Sequence, residues 1–242
     1  MRGGAKWVAI LAVILGLSWI AKDRILFVEN NGGYGDSTGT AFPIGQDLWM
    51  TARHVIARCA RIGVGDAPPT TARDHWLFRL AQTVYVDPEA DVAILRARID
   101  APAHPLADTP PAAGERGLAF GFPQGRPAVV QAEMRGVRRA QGAGDFVLTD
   151  RTSEWRVEAV SRSDIRSLDG ISGGPVLNAA GEVVGVAMAS RRDGRAFNAT
   201  SQAAMTAAAA RAGLSLTSRP ASRLSEGDPT RLTRPVVCEA PG

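Results

Sequence analysis

An all-β fold, with its strands in two groups, is what this sequence predicts, and three observations carry the prediction. From Ile25 onward the chain consists of short runs rich in β-branched and aromatic residues, divided by turn residues, which is the texture of a sandwich or barrel. A Pro- and Ala-rich connector, "IDAPAHPLADTPPAAGE" over 99–115, separates these runs into two sets. One long helical pattern occurs after the strands, "TSQAAMTAAAARAG" near the C-terminus, so an alternating βαβ sheet is excluded.

The first element is "MRGGAKWVAILAVILGLSWIAKD". Arg2 and Lys6 precede an apolar run of 15 residues from Trp7 to Ala21, and Lys22 closes it. Fifteen residues is short for a membrane span, but counting from Gly3 with Lys6 snorkelling reaches a marginal one. Trp7 and Trp19 stand near its two ends, where interfacial aromatics belong. A cleaved signal peptide has the same charged start and apolar centre, yet its A-x-A-like cleavage site is spoiled here by Trp19. An uncleaved N-terminal hydrophobic helix over 1–24 is therefore favoured. The strand runs follow: "ILFV", "GTAFPI", "LWMTA", "HWLFRL", "TVYV" and "VAILRA" before the connector, then "GLAFGF", "AVVQAEM", "FVLT", "WRVEAV", "GPVLN" and "EVVGVAMA". The helix has Thr200 or Ser201 as N-cap and Gly213 just past its end. Residues 25–215 form one domain on this reading. The segment 216–242, rich in Ser, Arg, Pro and Thr with little to bury, reads as a disordered tail.

Composition narrows the function. Hydrophobic content of 45% and a charged fraction of 21% are those of a globular chain. The net charge of +4 rests almost wholly on scattered arginines with few aromatics beside them, so no nucleic-acid partner is expected. The two cysteines, Cys59 and Cys238, have no metal-ligand spacing, and neither metal nor cofactor is expected. In an oxidising compartment they can form one disulfide; two free thiols are the equal alternative.

The stretch "DGISGGPV", 169–176, fits two serine-centred patterns: the G-x-S-x-G elbow of α/β-hydrolases and the G-x-S-G-G-P loop of chymotrypsin-type proteases. An elbow serine needs its acid and histidine further along the chain. All three histidines, His54, His75 and His104, precede Ser172, so only the order His…Asp…Ser remains. His54 stands in "LWMTARHVIARC" after an apolar strand, and Asp91 in "DPEADVAIL" at the start of a buried one. Singly, each residue is better explained as a packed histidine, a strand-capping carboxylate or a turn serine. Jointly, the types, order and contexts are those of a charge-relay set. His75 in "ARDHWLF" and His104 in "APAHPLA" lack such a context, and an Asp47…His…Ser order would need an α/β layout.

These blocks carry a resemblance. "TARHV", "DVAIL" and "GISGGPVLNAAGEVVGV" resemble the catalytic blocks of trypsin-like serine proteases, closest to the bacterial HtrA-like branch. "GTAFPI", "GFPQGRPAVV" and "AFNATSQAAM" fall where that branch has its early strand, its G-[FN]-P-x-G segment and its strand-into-helix ending. The resemblance spans about 30–213. It implies two six-stranded antiparallel barrels of chymotrypsin type with a C-terminal helix. It implies a serine endopeptidase acting on protein or peptide substrates, with Ser172 as nucleophile, His54 as general base and then acid, and Asp91 holding the imidazole. Gly170 and Ser172 would supply the oxyanion N–H pair. In the specificity pocket, Arg166 would sit at the floor, with Ser190 and Ala196 on the walls. An inward, unpaired guanidinium is costly, so Arg166 is expected outward and the pocket suited to small or medium apolar P1 residues. An inward Arg166 would instead select acidic P1 residues.

Two departures stand out. Ile171 occupies the place of the aspartate that pancreatic-type enzymes pair with a newly cut N-terminus, and no Ile-Val-Gly-Gly start is present, so activation by that route is not expected. About 29 residues follow Gly213, too few for the PDZ domain usual in the branch. The expected location is the bacterial inner membrane with the protease domain in the periplasm or outside, or secretion if the leader is cut. The competing functions are a catalytically silent binding module of the same fold and a serine esterase.

Overall fold

The computed structural model describes residues 25–28, 37–65, 78–99, 101–142, 148–191, 193–214 and 233–241. Their strands are β1 (Ile25–Val28), β2 (Ser37–Gly45), β3 (Leu48–Thr51), β4 (Arg61–Gly65), β5 (Phe78–Val86), β6 (Ala93–Arg96), β7 (Arg116–Gly121), β8 (Ala128–Gly142), β9 (Arg151–Val160), β10 (Pro175–Leu177), β11 (Val183–Ser190), β12 (Ala196–Thr200) and β13 (Arg234–Glu239). Six of them close an antiparallel barrel in the order β13-β2-β3-β6-β5-β4. Another six, β8-β7-β10-β11-β12-β9, form a second barrel closed by the β8–β9 pairing. β1 lies outside both, running parallel to the end of β8 with Ile25 opposite Arg139. Closure removes the free edges that open sheets of this length would expose.

Near-continuous apolar burial makes these runs barrel walls enclosed on both faces. β2 and β3 send Phe42, Trp49 and Met50 into the first core, where Ile94 and Leu95 of β6 meet them. In the second barrel Trp155 of β9 stacks on Phe197 of β12, ring centroids 6.3 Å apart, within a core that also holds Ile171. The residue standing where a carboxylate was absent is thus a buried hydrophobe, which needs no charged partner. Helix α1 (Gln202–Arg211) begins where expected: the Ser201 side chain accepts the Ala204 N–H, and Gly213 beyond the helix has φ +70°. Its Met205, Ala208 and Ala209 face the first core.

The structure corrects three boundaries. "HWLFRL" and "TVYV" contribute to one continuous strand, β5, instead of two. Leu148 and Thr149 of "FVLT" precede β9 without forming a strand. The end of the expected disordered tail is ordered as β13, because Val236, Val237 and Cys238 are buried between β2 and β4 and every backbone group there finds a ladder. Cys238 is bonded to Cys59, with Cα atoms 5.2 Å apart and a separation of 179 positions in sequence. The hydrophobic segment 1–24 and His75 lie outside the described residues; among those residues no helix is long and apolar enough to cross a membrane.

Candidate active site

Strand β3 ends in buried Thr51, and Ala52, extended at φ −76° and ψ 138°, turns the chain into a 3-10 turn over Arg53–Ile56. Val55 and Ile56 bury against the barrel, which leaves His54 on the open side, its side chain 20% exposed. Arg53 fastens this turn by donating to the carbonyls of Asp87 and Pro88, 3.0 Å each. The facing turn is shaped by buried Asp87, whose Oδ1 accepts the N–H groups of Glu89 and Ala90. Arg211 of α1 reaches the same carboxylate through Oδ2, 3.1 Å away. That turn delivers Asp91, fully buried, to His54. Asp91 Oδ2 lies 2.6 Å from His54 Nδ1, and Oδ1 accepts the His54 backbone N–H at 2.9 Å. Both carboxylate oxygens are therefore engaged by one residue. Burial disfavours the charged imidazole, but the charge and hydrogen bond of Asp91 outweigh it, so the His54 pKa stands above its ordinary value.

Ser172 arrives from the second barrel on the loop between Leu168 and Gly174, which is tied by Ile171 N–H to Leu168 and Gly174 N–H to Ile171. Gly173 has φ +89°, and a side chain there would strike the Thr40 carbonyl. The Ser172 hydroxyl donates to the Met188 carbonyl at 2.7 Å, so its proton is committed to β11 and not to His54 in this resting arrangement. To act as a nucleophile with His54 as its base, the hydroxyl would have to exchange that bond for one to the imidazole.

Gly170 has φ +99°, and a Cβ on it would stand 2.5 Å from the Phe122 carbonyl oxygen. The preceding carbonyl, Asp169, accepts the N–H of Gln124 at 2.6 Å. In a trans peptide the N–H points opposite the C=O, so this bond turns the Gly170 N–H away from Gln124. Neither that N–H nor the N–H of Ser172 has a hydrogen-bond partner among the described residues. Two adjacent donors left open beside a serine hydroxyl are what a developing oxyanion requires.

The remaining expected residues fall as follows. Arg166 is exposed, and its backbone N–H donates to Gln124 Oε1 at 2.8 Å. Ala196 is buried at the start of β12, and Ser190 ends β11 opposite Phe197. His104 is buried, its ring edge-on to Phe42 with centroids 6.3 Å apart, as a packed histidine. Among the described residues no group of His, Cys, Asp and Glu is placed to hold a metal ion. The bond from Ser172 to Met188 and the grip of Gln124 on the loop were not foreseen from sequence, because both join residues through backbone groups that every residue type carries.

The class of protein follows from two barrels with this loop between them: a model of the trypsin-like peptidase domain matches residues 39–186, and the chain belongs to that family. Among solved structures it is similar to the active form of the Rv3671c protease from M. tuberculosis, at 25% identity and TM-score 0.59, covering 77% of this chain and 78% of that one. The inactive form of the same protease matches at 26% identity and TM-score 0.58, covering 74% and 87%. The HtrA-type protease AlgW with a decapeptide matches at 25% identity and TM-score 0.54, over 69% of this chain and 49% of that one. A search of curated proteins finds no match.

Proposed function

We propose that the chain is a serine endopeptidase that cleaves protein substrates through an acyl-enzyme. Ser172 attacks the scissile carbonyl, His54 takes its proton and returns it to the leaving amine, and Asp91 keeps the imidazole proton on Nδ1. The Gly170 and Ser172 N–H groups receive the oxyanion. One observation supports this reading most: the His54–Asp91 pair at 2.6 Å, brought from the first barrel to the loop of the second that carries the open donors. Similarity to a protease solved with a decapeptide supports peptide substrates. Labelling by a fluorophosphonate probe with cleavage of casein is the expected result. Labelling with nitrophenyl ester turnover but intact casein would mean an esterase, and no labelling a silent binding module.

The exposed Arg166 supports a pocket lined by small residues. A P1-varied peptide library is expected to show preference for small or medium apolar P1 side chains, unchanged in Arg166→Ala. An acidic preference lost in that variant would reverse the assignment, and a basic preference would contradict it.

We assign residues 1–24 to a membrane anchor and the protease domain to an oxidising compartment, the periplasm or cell exterior. The Cys59–Cys238 bond supports export, since such bonds persist outside the reducing cytosol. Full-length protein is expected to pellet with membranes and resist carbonate extraction. A mature chain beginning at Lys22 would show a cleaved leader instead.

A further inference from the structure

Gly170 is the least constrained residue type at the position where orientation matters most, since a glycine turns freely about both of its backbone bonds. Something outside the loop has to hold it. The carbonyl before it is held by a backbone N–H, that of Gln124, which any residue at 124 except proline would supply. The carbonyl of Gly170 itself is held by a side chain: Thr40 Oγ1 donates to it at 2.7 Å. Thr40 lies on β2, in the other barrel, 130 residues away, and is fully buried. Its hydroxyl is used in both directions, because it also accepts the Phe122 N–H at 3.2 Å. Gly121 leaves room for it, since a Cβ there would stand 2.8 Å from Thr40 Oγ1. The Thr40 backbone N–H meanwhile donates to the Ser172 carbonyl at 2.7 Å. One residue thus grips the peptide after Gly170 and the peptide after Ser172, the two that flank the peptide carrying the Ser172 N–H.

We propose that Thr40 is a positioning residue for the oxyanion hole: its hydroxyl fixes the Gly170–Ile171 peptide, which links the two donor-bearing peptides, across the barrel interface so that the Gly170 and Ser172 N–H groups stay aimed together. The inference rests on the serine-protease reading above. Valine at 40 has nearly the same shape but no hydroxyl. It would leave the Gly170 carbonyl and the Phe122 N–H buried without this partner, a state that favours rotation of the loop toward other acceptors and donors. Serine keeps the hydroxyl and loses a methyl group. A packing role and a positioning role therefore predict opposite orders for the two variants.

The experiment measures kcat and KM on a cleavable peptide, inhibition by a peptide boronic acid whose tetrahedral adduct occupies the oxyanion hole, and thermal midpoints for the wild type, Thr40→Val and Thr40→Ser. Thr40→Val is expected to lose between about tenfold and a hundredfold in kcat at unchanged KM, with boronate affinity weakened in parallel. Thr40→Ser is expected within about threefold of wild type in kcat, even at a lower thermal midpoint, because the bond that matters is kept. If the valine variant does not fold, the serine variant decides alone: near-normal kcat supports the assignment and a tenfold loss overturns it. A folded Thr40→Val that matches wild type in kcat and boronate affinity overturns this inference while leaving the protease reading intact. A wild-type protein inert to fluorophosphonate and to the peptide overturns that reading, and this inference with it.

Discussion

Ser172→Ala is expected to abolish peptide hydrolysis while leaving the fold unchanged, a fall of roughly 10⁶ in kcat by analogy with nucleophile removal in other serine proteases. Loss of the hydroxyl removes one hydrogen bond, to the Met188 carbonyl, from a partly buried site. The loop keeps its own ties through Ile171, Gly173 and Gly174, and Thr40 still holds the carbonyl of residue 172. The thermal midpoint should therefore move little, and labelling by fluorophosphonate should vanish. Activity of the alanine variant equal to wild type would remove Ser172 from the mechanism altogether. Small residual cleavage from the oxyanion donors and substrate binding would not.

Asp91→Asn is expected to lower kcat about 10⁴-fold near neutral pH, through the tautomer of His54. The geometry dictates why. The backbone N–H of His54 needs an acceptor and occupies Oδ1 at 2.9 Å, so an amide at 91 keeps its oxygen there and turns its NH₂ toward Nδ1. Nδ1 must then accept, the proton moves to Nε2, and the imidazole can no longer receive the serine proton. The pH profile is a second check. In the wild type, burial lowers the His54 pKa, and the charge and hydrogen bond of Asp91 raise it further than burial lowers it. Activity of a base that must be neutral rises as pH passes this elevated pKa. In the asparagine variant the raising influences are gone and burial remains, so the acid limb should move to lower pH. The stability consequence has the opposite sense. A raised pKa means the pair stabilises the fold most below about 6.5, the unfolded value, and this increment disappears as pH rises through the folded pKa. An acid limb that stays in place in Asp91→Asn would show that Asp91 does not set the basicity of His54.

Much of this site was legible because its parts are local. "TARHV", "DVAIL" and "GISGGPV" each contain one residue of the proposed triad together with the turn or strand that presents it, and the order of the histidines relative to Ser172 argues against the elbow alternative. The helix was legible for the same reason, since Ser201 and Gly213 act on their own neighbours. What could not be read depends on distant pairings. β4, "RIGVG", has two glycines in five residues and little intrinsic strand character. It becomes a strand because β5 and β13 lie on either side. Val236–Cys238 is too short a run to stand out behind a polar stretch, and only the gap between β2 and β4 gives it a place. Thr40 resembles any strand threonine until the Gly170 carbonyl is brought to it from the other barrel.

The position of β13 has a consequence for how the enzyme comes into being. The first barrel, which carries His54 and Asp91, is closed by a strand that the ribosome makes after both barrels' other strands and α1. At elongation rates of about 5–20 residues per second, the wait from β4 to β13 is on the order of ten to thirty seconds. Until then β2 and β4 lack the strand that joins them, and Cys59 lacks the cysteine it bonds to. The barrel that carries His54 and Asp91 is thus closed only after the segment carrying Ser172 has been made. A nascent chain therefore carries Ser172 before the barrel that holds His54 and Asp91 is closed. The delay is written into strand order.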